Sequence, residues 1–403
     1  MKIRSITYFT PATHPLEDAT LTTAGRFLEQ ARAAYIEAGY EVQTVRLALP
    51  PFALLVGNQP NDAVALAQAL EAACFVHGID YATIGPARLG DSSAHFQIIP
   101  AVLRATDTIF TAAEIATPAH GLSLSAIKLV ADIIRQLSTL SPDGIGNLRF
   151  AALANVPAGV PFLPAAYHDP SQPPAFALAL QSADLAVNAF TQASSLTEAR
   201  VNLQTTLEQE ADKLSRIANR LGGNFKGLDF SFAPFPADSD SIGAALESLG
   251  IAHLGQHGSL AAAAIVTETL QQARLPHVGF SGLFLPLLED SRLAQRGAEG
   301  HLTLNDLLLY SAVCGTGLDT IPLPGDTPPE DLAAILLDVG ALALRLNKPL
   351  TARLMPMPNK HAGDELTFDF PYFANSRVLG YRASPLTGLL AGVENFPIAP
   401  RKS

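Results

Sequence analysis

Apolar and polar residues along this chain switch between two periods. Short runs with the alternating or all-apolar character of strands recur at 2–9 ("KIRSITYF"), 41–48 ("EVQTVRLA"), 79–85, 107–115, 148–156 ("LRFAALANV") and 227–235. Further ones fall at 277–285 ("HVGFSGLFL"), 318–322, 349–357 ("PLTARLMPM") and 366–373 ("LTFDFPYF"). Between most of them lie longer stretches in which apolar residues return every three or four positions, the repeat of an amphipathic helix. These fall at 17–38, 61–77, 122–138, 175–190, 195–221, 240–249 and 259–274. Strands alternating with helices imply parallel strands joined by crossovers. About ten open parallel strands would twist severely. The pattern therefore predicts an α/β fold, a single large β/α barrel over 1–403 with a helical insertion at about 175–222 packed outside it. A doubly wound sheet with a helical add-on is the alternative.

Composition narrows the class. Of the 403 residues 48% are hydrophobic and 16% charged, ample for a core and incompatible with global disorder. Trp is absent, so Ala, Leu and Ile must fill that core. The net charge of −11 argues against a nucleic-acid partner, whose phosphates need clustered Lys and Arg. Two cysteines cannot make a disulfide framework. The opening "MKIRSITYFTPATHP" has no apolar signal region, and no uninterrupted apolar run reaches the ~18 residues of a spanning helix. A cytoplasmic protein without membrane association is expected, with a homo-oligomer as the default.

Nucleotide fingerprints are missing, both G-x-G-x-x-G after the first strand and the phosphate-loop motif, and so is the hydrolase G-x-S-x-G. No cofactor is expected. His253 and His257 in "HLGQH" have a ligand-like spacing, but Gly255 lies between them and no Glu adjoins the first, so they read as turn residues and no metal is assigned.

The stretch "LLLYSAVCGTGLDTIPLPGD" (307–326) carries the strongest chemical suggestion. A buried-looking helix delivers Cys314 into Gly-Thr-Gly. Gly315 and Gly317 would let a small anion approach the thiol and nearby backbone N–H groups, or would simply cap the helix over a space-filling cysteine. Cys74, on an apolar helix face, reads as filler. Asp319 and Asp326 bracket the following turn. Glu289 offers a base at the barrel rim, and Asp290 next to it suits a helix N-cap. His168 titrates in the range that acid–base work needs. Arg353 stands inside a strand, where a guanidinium needs an anion, either a protein carboxylate such as Asp364 or Asp369 or a ligand carboxylate or phosphate. Lys348, Lys360, His361, Arg377 and Arg382 add positive charge nearby. The reading is an enzyme for a small anionic metabolite. Cys314, Asp319, Glu289 and His168 would do chemistry, while Gly315, Gly317, Arg353, Lys360 and Arg377 bind substrate and lower the thiol pKa.

Several long segments bear a resemblance: "MKIRSITYF", "FAALANVPAGVPFLPAAYH", "GLDFSFAPFPADSDSIGAALE", "GFSGLFLPLLED", the 307–326 stretch and "KPLTARLMPMPNKHAGDELTFDFPYFANSRV". In these the chain resembles the uncharacterised prokaryotic protein family 0210, also described as domain of unknown function 711, for which no reaction is established. The resemblance implies a fold similar to the ten-stranded, pyruvate formate-lyase-like barrel of glycyl-radical enzymes. "RVLGY" (377–381) is similar to the C-terminal radical pattern of those enzymes, although the chain is roughly half their length. It implies an alternative with Gly380 as radical site, Cys314 as thiyl and an activase as partner. A non-catalytic metabolite-binding or regulatory protein is the third reading.

Overall fold

A computed structural model describes residues 1–401. Its strands are β1 (Lys2–Phe9), β2 (Val42–Ala48), β3 (Tyr81–Ala87), β4 (Ile109–Thr117), a short β5 (Gly121–Ser123) and β6 (Phe150–Ala154). They continue with β7 (Ala175–Gln181), β8 (Phe225–Ala233), β9 (Gly317–Pro324) and β10 (Leu350–Met357). The principal sheet has the spatial order β8-β7-β1-β2-β3-β4-β6-β10-β9. Strands β1, β2, β3, β4 and β6 are parallel to one another. Strands β7 and β8 form a second parallel pair and β9 and β10 a third, joined to the first group by antiparallel contacts β1–β7 and β6–β10. The result is a mixed α/β protein with a large, mostly parallel sheet. One irregular segment touches both sheet edges: His277 makes a parallel bridge to Leu228 of β8, and Pro286 one to Asp319 of β9.

Buried strands of this kind need apolar residues on both faces, and β6, β7, β9 and β10 are buried throughout. In β6, Phe150, Ala152 and Ala154 join the large cluster beneath the helices, which runs from Ile3 to Leu379. Ala151 and Leu153 face the other way, into a smaller cluster with Val160, Phe162 and Ala165. That inner partner is a loop. Val160–Ala166 is buried without regular secondary structure, where loops normally stay at the surface to keep their backbone groups in water. Pro161 and Pro164 have no N–H to satisfy, and the Pro161 carbonyl accepts from the Ser5 and Thr7 hydroxyls at 3.3 and 3.5 Å. No helix among the described residues is long and apolar enough to cross a membrane.

Three expectations are corrected, the first being the strand over 277–285, which is the irregular segment bridged at His277 and Pro286. The helix expected over 175–190 is strand β7 followed by a helix at Ala183–Thr191. An Ala/Leu run buried on both faces has no periodicity to separate strand from helix, and pairing with β1 and β8 decides it. So 175–222 is not an external insertion, because its first strand lies within the sheet. Expected strand 366–373 shrinks to Glu365–Leu366, paired with Ser376–Arg377.

Asp229 of β8 ties down the irregular segment by accepting the backbone N–H groups of Phe280 and Ser281 at 3.0 and 3.1 Å, along with the Ser231 hydroxyl. Burial pushes its pKa from 3.8 up to about 6, against the pull of those hydrogen bonds. The native state holds this proton more tightly than the unfolded chain does. Stability should therefore fall as pH rises from about 4 to about 6, by about 3 kcal/mol from this group. Asp229→Asn should lack that slope, so its urea midpoint should gain on the wild type across the same window. Parallel pH profiles for the two proteins would rule this out.

Candidate functional site

The candidate site is built where strands lose register. Strand β1 slips against β7 between Ile3 and Ser5, at Arg4. Strand β10 slips against β9 between Ala352 and Leu354, whose partners are Leu318 and Ile321, so Asp319 and Thr320 together oppose Arg353. Such bulges re-aim side chains, and Thr320 takes a left-handed backbone, φ 47°, as part of this one. Both arginines meet on the inner side of the sheet.

Arg353 donates from Nε to Asp319 Oδ1 at 2.5 Å and from Nη2 to Asp319 Oδ2 at 2.6 Å. The same Nη2 donates to Glu289 Oε1 at 2.8 Å, and Arg4 donates to the other oxygen of Glu289. A continuous chain, Asp319–Arg353–Glu289–Arg4, results. Arg46 of β2 comes next. Its Nε donates to Thr44 Oγ1 at 2.8 Å, its guanidinium lies 5.9 Å from the Tyr81 ring centre, and among the described residues it has no salt-bridge partner. Arg353 lies 5.5 Å from the Phe162 ring centre in the same way.

Electrostatics follow from who is shared. Burial alone would raise Glu289, but Arg4 and Arg353 together hold it below the ordinary carboxylate range. Burial raises Asp319, which has Arg353 alone and feels Glu289 beside it. Burial, with repulsion from Arg4, lowers Arg46 to about 10, which leaves it protonated at neutral pH. Arg4, Arg46, Arg353 and Glu289 line a cavity of about 100 Å³, with Gln43, Thr44 and a wall of Tyr81, Phe110, Leu148, Phe162, Leu163, Phe370 and Tyr372.

Of the residues singled out in the sequence, Asp319, Glu289 and Arg353 come together. The carboxylate partners of Arg353 are Asp319 and Glu289; Asp364 instead accepts the His361 N–H at 2.7 Å. Asp290 is the N-cap of helix Ser291–Ala298, accepting from the N–H of Arg292 and Leu293, both at 2.9 Å. Cys314 is placed elsewhere, 1% exposed within the apolar core. Its glycines serve contact between chain segments. The Gly315 N–H donates to the Leu283 carbonyl at 2.6 Å, and a Cβ at Gly315 would stand 2.8 Å from Gly282 Cα. A Cβ at Gly317 would stand 2.4 Å from the Thr351 oxygen. The approach expected for a ligand is filled by backbone. Lys348 caps the preceding turn through the carbonyls of Ser311 and Cys314.

The remaining residues scatter. Lys360 is exposed, Arg377 pairs with Glu365 at 3.0 Å on the surface, and Asp326 lies 3.7 Å from His361, also at the surface. His168 lines a second cavity of about 270 Å³ with Tyr167, Asp169 and Lys226. It is 2% exposed, its Nε2 has no partner among the described residues, and burial lowers its pKa. His253 stacks on His301 at 4.7 Å; among the described residues no three His, Cys, Asp or Glu are grouped to hold a metal. Gly380 is exposed, and its neighbour Leu379 bonds to the Pro322 carbonyl near the far end of β9. Cys314 precedes the near end, and Gly317 to Pro322 alone spans about 16 Å of strand. The sealed Gly380–Cys314 pair that radical transfer needs is not formed.

Arg4 and Arg46 were not among the residues singled out. The argument that marked Arg353, a guanidinium inside a strand, applies equally to "KIRSITYF" and "EVQTVRLA".

Fold and site together define a mixed α/β protein with a cationic, aromatic-walled cavity on the inner face of a mostly parallel sheet. The chain belongs to the family described as Uncharacterised ACR (DUF711), which matches residues 1–374 and so covers every residue of the arginine cavity. It is similar to a UPF0210 protein of Pyrobaculum arsenaticum, 32% identical over 382 residues, covering 88% of this chain and 84% of that one. A UPF0210 protein of Methanopyrus kandleri is 30% identical over 372 residues, covering 87% and 82%. One from Neisseria meningitidis serogroup C is 28% identical over 371 residues, covering 86% and 81%.

Removing Arg353 would leave Asp319 buried without a cation. Arg353→Met should cost about 3–5 kcal/mol in urea unfolding, whereas Arg377→Met, from an exposed pair, should stay within about 1 kcal/mol. Equal effects would show that the buried chain has no special weight. Cys314 and Cys74 are both 1% exposed, and burial pushes the Cys74 thiol up to about 12. A maleimide should label both only as fast as the protein opens. Rapid labelling of Cys314 alone would reveal an access route and restore the thiol as a candidate.

Proposed function

We propose that this protein binds a small anionic metabolite in the cavity of Arg4, Arg46 and Arg353. One observation carries the reading: Arg46 points into the cavity with no carboxylate to pair with, while both nearby carboxylates are engaged by the other two arginines. A desolvated cation is costly until an anion joins it, and a guanidinium fork fits a carboxylate or phosphate edge in two hydrogen bonds. The reading moves the substrate from the Cys314 turn to the arginines. It also favours a binding or sensing role over catalysis, because Glu289 is held by two arginines and His168 lines the other cavity. A closed ten-stranded barrel belongs to the same proposal. Support comes from the segment between His277 and Pro286, which bridges to β8 at one end and β9 at the other.

Arg46→Gln provides the test. Without ligand, its unfolding midpoint should equal or exceed the wild type's, since a half-buried cation with no carboxylate partner is removed. Calorimetric affinity for small carboxylates should fall by about ten- to a hundredfold. A large loss of stability in the ligand-free variant, with anion binding intact, would make Arg46 structural and end the proposal.

A further inference from the structure

We infer that the anion is an aromatic monocarboxylate. This rests on the anion-binding reading above and deepens it by charge, size and wall chemistry.

Charge comes first. Within the chain Asp319–Arg353–Glu289–Arg4, the two guanidiniums and two carboxylates cancel, which leaves Arg46 as the single uncompensated charge at the cavity. Asp80, the other acid that Arg46 feels, is already paired with Arg32. A monoanion restores neutrality in this poorly solvated space. A dicarboxylate or a doubly charged phosphate would leave one negative charge buried without a partner.

Size comes next. The cavity of about 100 Å³ is several times the ~10–15 Å³ that a single water needs, so it has room for a small organic anion. A carboxylate on a six-membered ring can reach Arg46 and the ring walls together, whereas acetate has no body to meet those walls.

The walls then select the body of the ligand. Among the polar lining residues besides the arginines and Glu289, Gln43 and Thr44 are engaged within the protein, while the Tyr81 and Tyr372 hydroxyls have no partner among the described residues. Gln43 donates to Gln181 at 2.6 Å, and Thr44 accepts from Arg46 while donating to the Arg4 carbonyl at 2.9 Å. Apart from Leu148 and Leu163 the rest of the wall is aromatic: Tyr81 and Phe110 meet edge to face at 5.5 Å, and Phe370 and Tyr372 lie at 5.4 Å. A flat ring placed among these rings gains offset and edge contacts that an aliphatic chain cannot make.

The test is calorimetric titration of the full chain with benzoate, acetate, succinate and inorganic phosphate at one ionic strength. Benzoate should bind at least about tenfold more tightly than acetate, with succinate and phosphate weaker than benzoate. Succinate or phosphate matching or exceeding benzoate overturns the aromatic monocarboxylate and leaves the anion-binding reading standing. Failure of all four to bind overturns both. Tyr372→Ala changes an exposed ring at the cavity mouth, so the fold should persist. It should weaken benzoate about three- to tenfold and leave acetate unchanged; unchanged benzoate affinity also overturns the inference.

Discussion

Four side chains from distant parts of the sequence, Arg4, Glu289, Asp319 and Arg353, neutralise one another on the inner face of the sheet, and much of the architecture answers to that requirement. Charges removed from water must be paired with good geometry or their desolvation penalty is unmet. Pairing here joins β1, β9, β10 and the turn before helix Ser291–Ala298. Because β1 and β10 reach the same Glu289 from different parts of the sheet, the sheet must curve enough to bring them together. Arg4 and Arg353 both sit where strand register breaks, as expected if the bulges exist to aim those side chains inward.

The buried loop is the second half of the same arrangement. Val160–Ala166 fills the inner face with apolar side chains and meets Arg353 with the Phe162 ring. It also divides the interior. Phe110 and Leu163 line the arginine cavity, Phe9 and Val278 line the His168 cavity, and all four belong to one apolar cluster between them. Proline at 161 and 164 makes this tolerable, since every N–H removed is one fewer donor to satisfy away from water.

Strand positions were legible at β1, β2, β6 and β10, but not at 277–285, whose apolar run forms an irregular segment with isolated bridges at His277 and Pro286. The run at 175–181 was not, because burial on both faces erases the period that distinguishes strand from helix, and only its pairing with β1 and β8 reveals it. At the site, Asp319, Glu289 and Arg353 were legible as chemistry but not as partners of one another. Their association depends on a bulge, which leaves no mark in apolar periodicity. Cys314 misled because a glycine turn looks the same whether a ligand or another backbone approaches it. The approach is made by Gly282, which lies 33 positions earlier in the chain and has no local signature pointing to residue 315.

The opposite pKa directions of Glu289 and Asp319 follow from position in a line of charges. Read inward from Asp319, the signs run minus, plus, minus, plus, and then plus again at Arg46. An interior carboxylate has a guanidinium on each side, so Glu289 is held down; the terminal one has a single guanidinium, so burial prevails and Asp319 is raised. Arg46 occupies the other end, where the alternation fails and Arg4 repels it. An anion bound there continues the alternation by one step. It would relieve the repulsion that lowers Arg46 without disturbing the four charges behind it, because those are already balanced. On the proposed reading, the cavity would change occupancy while the four balanced charges behind it keep their pairing.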